Sequence, residues 1–471
     1  MRSGGIRQIR LAESRIIAAR TARGQISLAS RIDCRTLANS AYVSQNKPVR
    51  QMADAVYILS AVRTAIGRFG GALADFSASD LGVIAVRAAL KRAFGDPLPP
   101  ERTPGQSAPA ASPSFPWRVD DVIFGNARPA GGGPNPARQI AWRVGLGDDV
   151  PAFTVNMACA SGLRAVVLGW QQIRLGDAQI VVAGGAEAMS RVPYLVEGRW
   201  GFKMGNQPLV DAMYRDGFLC PLSKLIMGET AEVLAEQYRI SREEQDAFAL
   251  ESNRRAASAA SECRFKAEIV PIERMDKKGN VTRFEKDEHV RPDITLEALA
   301  KLPPVFSKTG TITAGNSSGI TDGAAAVVLA SEETVRRLKL QPIARIVDAT
   351  VAAIDPRLMG IAPVPAMRAL AQRTGTKTAD YDAIELNEAF AAQTIACDRE
   401  MHFDRERLNP NGGAVALGHP VGCSGARILT TLVHELRSNP VEKEHSAAGR
   451  RGLATLCVSG GMGMAVEIET V

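Results

Sequence analysis

Asp121-Val122-Ile123-Phe124-Gly125-Asn126 and Asp382-Ala383-Ile384-Glu385-Leu386-Asn387 are the two stretches that decide the fold. Each reads as a short, mostly apolar strand opened by aspartate and closed by asparagine. Each is followed by a Ser-Gly-x-Arg sequence: Ser161-Gly162-Leu163-Arg164 begins 35 residues after Asn126, and Ser424-Gly425-Ala426-Arg427 begins 37 residues after Asn387. A Gly-Gly pair closes each series, at Gly184-Gly185 and at Gly460-Gly461. Three landmarks in one order at similar spacing predict an internal duplication. The expectation is two α/β halves of one topology, related by a pseudo-two-fold axis. A shared site then belongs where corresponding loops of the two halves meet.

Outward from these stretches, strands alternate with helices. Val56–Ser60 reads as a strand, Ala78–Phe94 as a helix, Phe153–Val155 as a strand, Ser161–Leu175 as a helix, and Ile180–Ala183 as a strand ending in the glycine pair. That alternation favours a layered α/β fold. Residues about 192–310 break the rhythm. They are more polar, with helices near Met227–Gln237 and Arg242–Ala260 and a β-like stretch at Glu268–Arg274, and read as an inserted subdomain. Alternation resumes after Ala314. The seven prolines within 97–116 forbid a helix or a central strand there. That stretch is expected to be a mobile surface insertion without a catalytic role.

Composition narrows the classes. At 471 residues and 45% hydrophobic, the chain can build two or three domains with real cores. It has no apolar run of about 18 residues, which argues against a membrane-spanning helix. Aromatics at 5% argue against base stacking. The net charge of +7 is concentrated: residues 1–50 carry nine Arg and one Lys against Glu13 and Asp33, a balance of +8 that leaves −1 for the rest. A near-neutral body removes the electrostatic basis for binding nucleic acid or a membrane surface. The seven cysteines are scattered without a CxxC pair, so a disulfide scaffold and a zinc ribbon do not fit. A reducing compartment, the cytoplasm, is the simpler assumption. Residues 1–51, rich in Arg, Ser and Ala, suit either a mitochondrial transit peptide, which would place the protein in the matrix, or an upstream extension of a chain that begins at Met52. The expected organisation is this extension, a first domain over 52–335 that contains the insertion, and a second over 341–471.

Four stretches carry chemistry. In Val155-Asn156-Met157-Ala158-Cys159-Ala160-Ser161-Gly162, Cys159 stands between a strand end and a helix start. The free N–H groups and dipole of a helix N-terminus favour negative charge, so a thiol there is expected to be acidified and nucleophilic. A buried, inert cysteine is the other reading. In Asn409–Gly425, glycines and prolines hold an irregular loop before a helix, and His419 sits between Gly418 and Pro420, off any amphipathic face. That position suits a catalytic base better than a core histidine. Cys457 ends a strand at the Gly-rich turn Ser459-Gly460-Gly461-Met462-Gly463. Alone it is ambiguous; with Cys159 and His419 it suggests an acid/base thiol. Asn387 can orient a water or a carbonyl, or can cap a helix.

Taken together, Cys159-Ala-Ser-Gly162, Gly315-Asn-Ser-Ser-Gly319, Asn387-Glu-Ala-Phe-Ala391, Gly412–Arg427 and Cys457–Gly463 resemble the thiolase family, from about Met52 to Val471. The resemblance implies the thiolase fold: two pseudo-symmetric βαβαβ halves in a five-layer α-β-α-β-α sandwich, with the insertion as a lid. It implies an acyl-CoA C-acyltransferase for reversible thiolysis of 3-ketoacyl-CoA, with acyl-CoA as substrate, no metal or cofactor, and a homodimer or homotetramer. Cys159 would carry the acyl group and His419 would activate it. Cys457 would move protons at the α-carbon, and Asn387 would hold an oxyanion-hole water. The amides of Cys159 and Ser459 would form a second oxyanion hole, while Ser318 and Phe390 would contact the thioester arm. Family members often carry glycine where Ser459 stands, so its side chain is expected to restrict that hole if the residue needs positive φ. A ketoacyl-synthase-type condensing enzyme and an inactive thiolase-like CoA or lipid carrier are the alternatives; the second thiol and the retained polar set speak against them.

Overall fold

A computed structural model describes residues 55–105, 115–275, 279–438 and 449–471. The expected 1–51 extension and residues 106–114 of the proline-rich stretch lie outside the described residues. The first half contains strands β1 (Val56–Thr64), β2 (Asp121–Gly125), β3 (Ala152–Val155), β4 (Ile180–Ala188) and β5 (Thr321–Ser331). Its helices are α1 (Ala78–Phe94), α2 (Pro136–Arg143) and α3 (Ser161–Arg174). Between β4 and β5 the insertion carries α4 (Met227–Gln237) and α5 (Arg242–Ser261). The second half contains β6 (Ala344–Ala353), α6 (Pro363–Thr374), β7 (Ala383–Leu386), α7 (Ala391–Met401), α8 (Val421–Ser438), β8 (Arg451–Val458) and β9 (Met462–Thr470).

The strand order proves the duplication. Hydrogen bonds connect β7-β8-β9-β6-β1-β5-β4-β2-β3. In the first half β1–β5 and β5–β4 are antiparallel, whereas β4–β2 and β2–β3 are parallel. In the second half β6–β9 and β9–β8 are antiparallel and β8–β7 is parallel; a lone parallel bridge, Ile384 to Leu408, replaces the β2–β3 pair. The equivalent strands β1 and β6 meet antiparallel through Tyr57–Arg345 and Ile58–Ala344. Antiparallel pairing of equivalent strands is what a two-fold axis at the seam requires.

Side-chain alternation along the strands then makes the layers. Val122, Phe124, Val182 and Val328 face out and pack with Leu81 and Val86 of α1 and Ile140 of α2. Their neighbours Ile123, Val181, Val327 and Leu329 face in, sharing one core with Leu163 of α3, Ile428 and Leu432 of α8, and Leu456, Met464 and Ile468 of the second sheet. On the far side Ile384, Leu453 and Ala465 pack with Val364, Met367 and Leu370 of α6 and Cys397 of α7. Five layers result, with α3 and α8 alone in the middle. Ser77 caps α1 in a reciprocal capping box with Asp80. The ends of the proline-rich stretch are anchored: Phe94, Phe115 and Trp117 stack at 4.4 and 4.9 Å between centroids.

One landmark of the duplication is not an equivalence. Gly184 and Gly185 lie inside β4, which runs on to Ala188 rather than ending at Ala183. They pair with Phe124 and Gly125. The matching positions on β8 pair with Glu385 and Leu386, and are Ala454 and Thr455. Gly460 and Gly461 sit beyond, in the β8–β9 turn, with φ of +90° and +83°. The first pair serves close approach and the second serves a left-handed turn. A Cβ on Gly185 would run into the Gly422 carbonyl and stand 3.0 Å from the Cα atoms of Cys423 and Gly162. Gly185→Ala should therefore push α8 off the first sheet and lower stability by about 1–3 kcal/mol, read as a fall in the denaturant midpoint; an unchanged midpoint would show that the contact yields freely.

Candidate active site

The middle helices bring their N-termini, one from each half, to one end of the sandwich. Cys159 lies in a single 3₁₀ turn, Ala158–Ala160, just before α3. The turn needs Ala158 at φ +45°, a left-handed conformation that is strained for alanine. Short hydrogen bonds hold it. Ser161 Oγ donates to the Ala158 carbonyl at 2.7 Å and accepts the Met157 N–H at 2.9 Å, while Asn156 Oδ1 accepts the Ala158 N–H at 3.0 Å.

His419 enters from the loop before α8. Gly418, at φ +100°, turns the chain, and a Cβ there would strike Thr321. The His419 N–H donates to the Gly319 carbonyl at 3.0 Å. Two other motifs join here: Ser317 and Phe390 form an antiparallel bridge, and the Ala391 N–H donates to the Asn316 carbonyl at 2.9 Å. Cys457 is the last residue but one of β8 and pairs with Gly463. A cavity of about 470 Å³ collects Cys159, His419, Cys457, Ser459, Ser318 and Phe390 on its wall. Of the expected residues only Asn387 lies behind that wall. It is fully buried, and neither its Oδ1 nor its Nδ2 has a hydrogen-bond partner. The residue before α7 in the capping position is Phe390, so Asn387 does not cap that helix. Among the described residues, no group of His, Cys, Asp and Glu is placed to hold a metal ion.

The proton states are set by burial. Ser424 Oγ lies 2.6 Å from His419 Nδ1 and donates its own hydrogen to the Pro420 carbonyl at 3.0 Å. In the tautomer that keeps this bond, Nδ1 donates to Oγ and Nε2 is a lone pair; Nε2 has no protein partner. Burial, then the charges of Arg427 and Arg128, push the imidazole down to about 3, so it is a neutral base. Burial also raises the Cys159 thiol, against the pull of the Arg128 charge and the Ser459 N–H. The expectation of an acidified resting thiol is thus corrected: loss of hydration outweighs the positive surroundings. Burial, then the Cys159 sulfur, hold Cys457 well above the ordinary thiol range.

Ser459 has no left-handed backbone, so its side chain imposes no strain on the turn. Its N–H points at the Cys159 sulfur. Two residues escaped the sequence reading. Ser424 stood inside a quoted motif without a role, though its counterpart Ser161 marks the same helix start. Arg128 also lines the cavity. It stands two residues after Asn126, as Ala389 stands two after Asn387. Ser424→Ala should lower turnover about 10- to 100-fold by releasing the imidazole, and Ser424→Thr should restore most of it, as read from steady-state kinetics. Equal rates in the alanine variant would deny Ser424 any part in setting the base.

The sequence matches the thiolase N-terminal domain over residues 110–333 and the thiolase C-terminal domain over 340–470. Acetyl-CoA acetyltransferase of Shinella zoogloeoides is 44% identical over 420 residues, 89% of this chain and 100% of that protein. Acetyl-CoA acetyltransferase of Escherichia coli K12 is 46% identical over 414 residues, 88% of this chain and 98% of that protein. The crystal structure of human mitochondrial 3-ketoacyl-CoA thiolase superposes with a TM-score of 0.80 at 41% identity, covering 88% of this chain and 99% of that one. Duplicated topology, five layers and near-complete coverage agree: the chain belongs to the thiolase family.

Proposed function

We propose that this protein is an acyl-CoA C-acyltransferase that interconverts 3-ketoacyl-CoA plus CoA with acetyl-CoA plus a shortened acyl-CoA. One observation carries the reading: two thiols, Cys159 and Cys457, and a bare imidazole nitrogen, His419 Nε2, face one cavity with the Ser459 N–H aimed at the first thiol. Two chemically distinct events occur at adjacent carbons, acyl transfer and proton transfer, and two thiols can divide them. A ketoacyl-synthase-type enzyme or an inert carrier has no use for the second.

In thiolysis His419 Nε2 takes the Cys159 proton as the sulfur attacks C3 of the substrate. Charge gathers on the C3 oxygen, where a preorganised donor contributes about 2.7–4 kcal/mol to the transition state. The C2–C3 bond then breaks and its electron pair collects on C2. Cys457 gives its proton to C2, and acetyl-CoA leaves. A second CoA thiol attacks the acyl-Cys159 thioester, takes the acyl group and returns Cys159 as thiolate; its proton restores Cys457. His419 hands the proton it first took back to Cys159. The orphaned amide of buried Asn387 supports an ordered water that joins His419 in holding the thioester oxygen.

Either acetoacetyl-CoA or a longer 3-ketoacyl-CoA satisfies this chemistry. A wall that includes Met227, Val305, Phe306 and Ile320 supports an apolar arm between thioester and solvent. No described helix is long and apolar enough to cross a membrane. Exposed Tyr194, Trp200, Phe202 and Met204 support a homodimer or homotetramer.

Cys159→Ser should lower thiolysis of acetoacetyl-CoA by several orders of magnitude, since a hydroxyl is far less acidic than a thiol; turnover near the wild-type rate would remove Cys159 as nucleophile. Cys457→Ala separates the two events. It should still form acetyl-Cys159 from acetyl-CoA, seen by peptide mass spectrometry, yet fail to exchange the acetyl-CoA methyl protons with deuterated water by NMR. Exchange at the wild-type rate would mean that another group moves the proton.

A further inference from the structure

Arg128 is a cation on the cavity wall that the thiolysis above does not need. Its guanidinium bears on both Cys159 and His419, lowering the pKa of each. It lines the same cavity as those two residues. Among the described residues it makes no ion pair; its Nη1 donates to the Ala127 carbonyl at 3.1 Å and its backbone N–H donates to Glu187 at 3.0 Å. Its Nε is buried without a partner. Glu187, the acid whose charge it feels, has both oxygens engaged by Asn126 Nδ2 and the N–H groups of Ala127, Arg128 and Gly422.

The lid is shaped around this guanidinium. Gly217, in the turn Tyr214–Phe218, lies against it: a Cβ there would stand 2.6 Å from Nε and 3.0 Å from Cζ. Tyr214, Gly217 and Phe218 line the same cavity. Nε lies buried under Gly217, so the Nη1–Nη2 edge is the part of the planar fork left to meet a ligand, and such an edge takes a carboxylate in two parallel hydrogen bonds. The anions of CoA cannot supply that carboxylate, because the whole pantetheine arm separates its phosphates from the thioester sulfur. The other guanidinium on the wall, Arg291, donates to the Ala314 carbonyl at 3.4 Å.

Resting on the thiolase reading above, we propose that the acyl chain of the preferred substrate ends in a carboxylate, and that Arg128 binds it. The substrate class is a 3-ketoacyl-CoA of a dicarboxylic acid. Its thiolysis breaks the same C2–C3 bond, leaves an ω-carboxyacyl group on Cys159, and passes that group to CoA with acetyl-CoA as the other product. In a largely apolar pocket a guanidinium without an ion-pair partner costs stability, and the carboxylate of Glu187 is already taken up by other donors. A terminal carboxylate accounts for it, and a terminal methyl does not.

The test is a pair of substrates of equal chain length, 3-ketoadipyl-CoA and 3-ketohexanoyl-CoA, assayed with purified full-length wild type, Arg128→Leu and Arg128→Lys. Wild type should show kcat/KM at least about tenfold higher for 3-ketoadipyl-CoA. Arg128→Leu should abolish or invert that ratio, and Arg128→Lys, which keeps the charge but not the fork, should retain part of it. Because each ratio is taken within one preparation, partial misfolding of a variant does not move it. If wild type cleaves 3-ketohexanoyl-CoA as well or better, the proposal is overturned while the thiolase reading stands. The same holds if Arg128→Leu lowers both substrates equally, for then Arg128 acts only on the Cys159 thiol. If wild type cleaves neither of these nor acetoacetyl-CoA, the thiolase reading itself falls, and this inference falls with it.

Discussion

The Glu187 carboxylate is the knot of the molecule. It sits fully buried near the end of β4 and accepts the N–H groups of Ala127 and Arg128 at 3.0 Å each and that of Gly422 at 2.7 Å. The first two belong to the loop after β2, in the first half; the third opens α8, in the second. One ionisable group thus fixes the cavity wall that carries Arg128 to the helix start that follows His419. Burial raises its pKa, and the surrounding donors and Arg128 oppose that rise. Replacing such a group with an apolar one would strand three buried N–H donors, each costing about 1–3 kcal/mol. The close approach of Gly162, Gly185 and Gly422 is possible because no side chain stands between them.

The duplicated frame is used asymmetrically. Each half follows a parallel strand with asparagine and carries Ser-Gly in the first turns of its middle helix. Asn126 donates to Glu187 and the Ala186 carbonyl, whereas Asn387 leaves both polar atoms unpaired. Ser161 braces the strained turn that presents Cys159; Ser424 braces the imidazole of His419. The first half thus presents the thiol, two residues before its serine, and the second half presents the imidazole, five residues before its own. The insertion is tied to the same machinery. Ser252 of α5 donates to Glu388 at 2.7 Å, and Glu388 also accepts from Asn409 and from the Val415 N–H. The lid therefore bears on the loop before His419 and on the residue after Asn387.

Much of this was legible in the sequence. Helix α1 has the bounds that the apolar spacing predicts, and α3, α4 and α5 fall within a residue of theirs. Their periodicity and caps are local, and local signals survive in the sequence. The duplication was legible because strand, asparagine and Ser-Gly recur in order. The glycine pair misled because two physical needs, close packing inside β4 and a left-handed turn after β8, select the same residue. Six of the seven expected site residues share one cavity, each drawn from a motif that the sequence reading had singled out.

Which elements form, that the fold is doubled, and which thiols and imidazole share the cavity were all readable along the chain, from spacing and motif chemistry. The protonation of that site was not, because it is a property of the packed environment. A helix start argues for an acidic Cys159, but the depth of burial, summed over residues from both halves, raises the thiol instead. The tertiary structure also set the Ser424 hydroxyl between His419 Nδ1 and the Pro420 carbonyl, where it holds the imidazole. The exposure of Arg128 to the cavity depends on Glu187 being occupied and on Gly217 making room, two residues far from it in the chain. Desolvation and charge compensation are sums over neighbours in space, and the order of residues along a chain does not carry them.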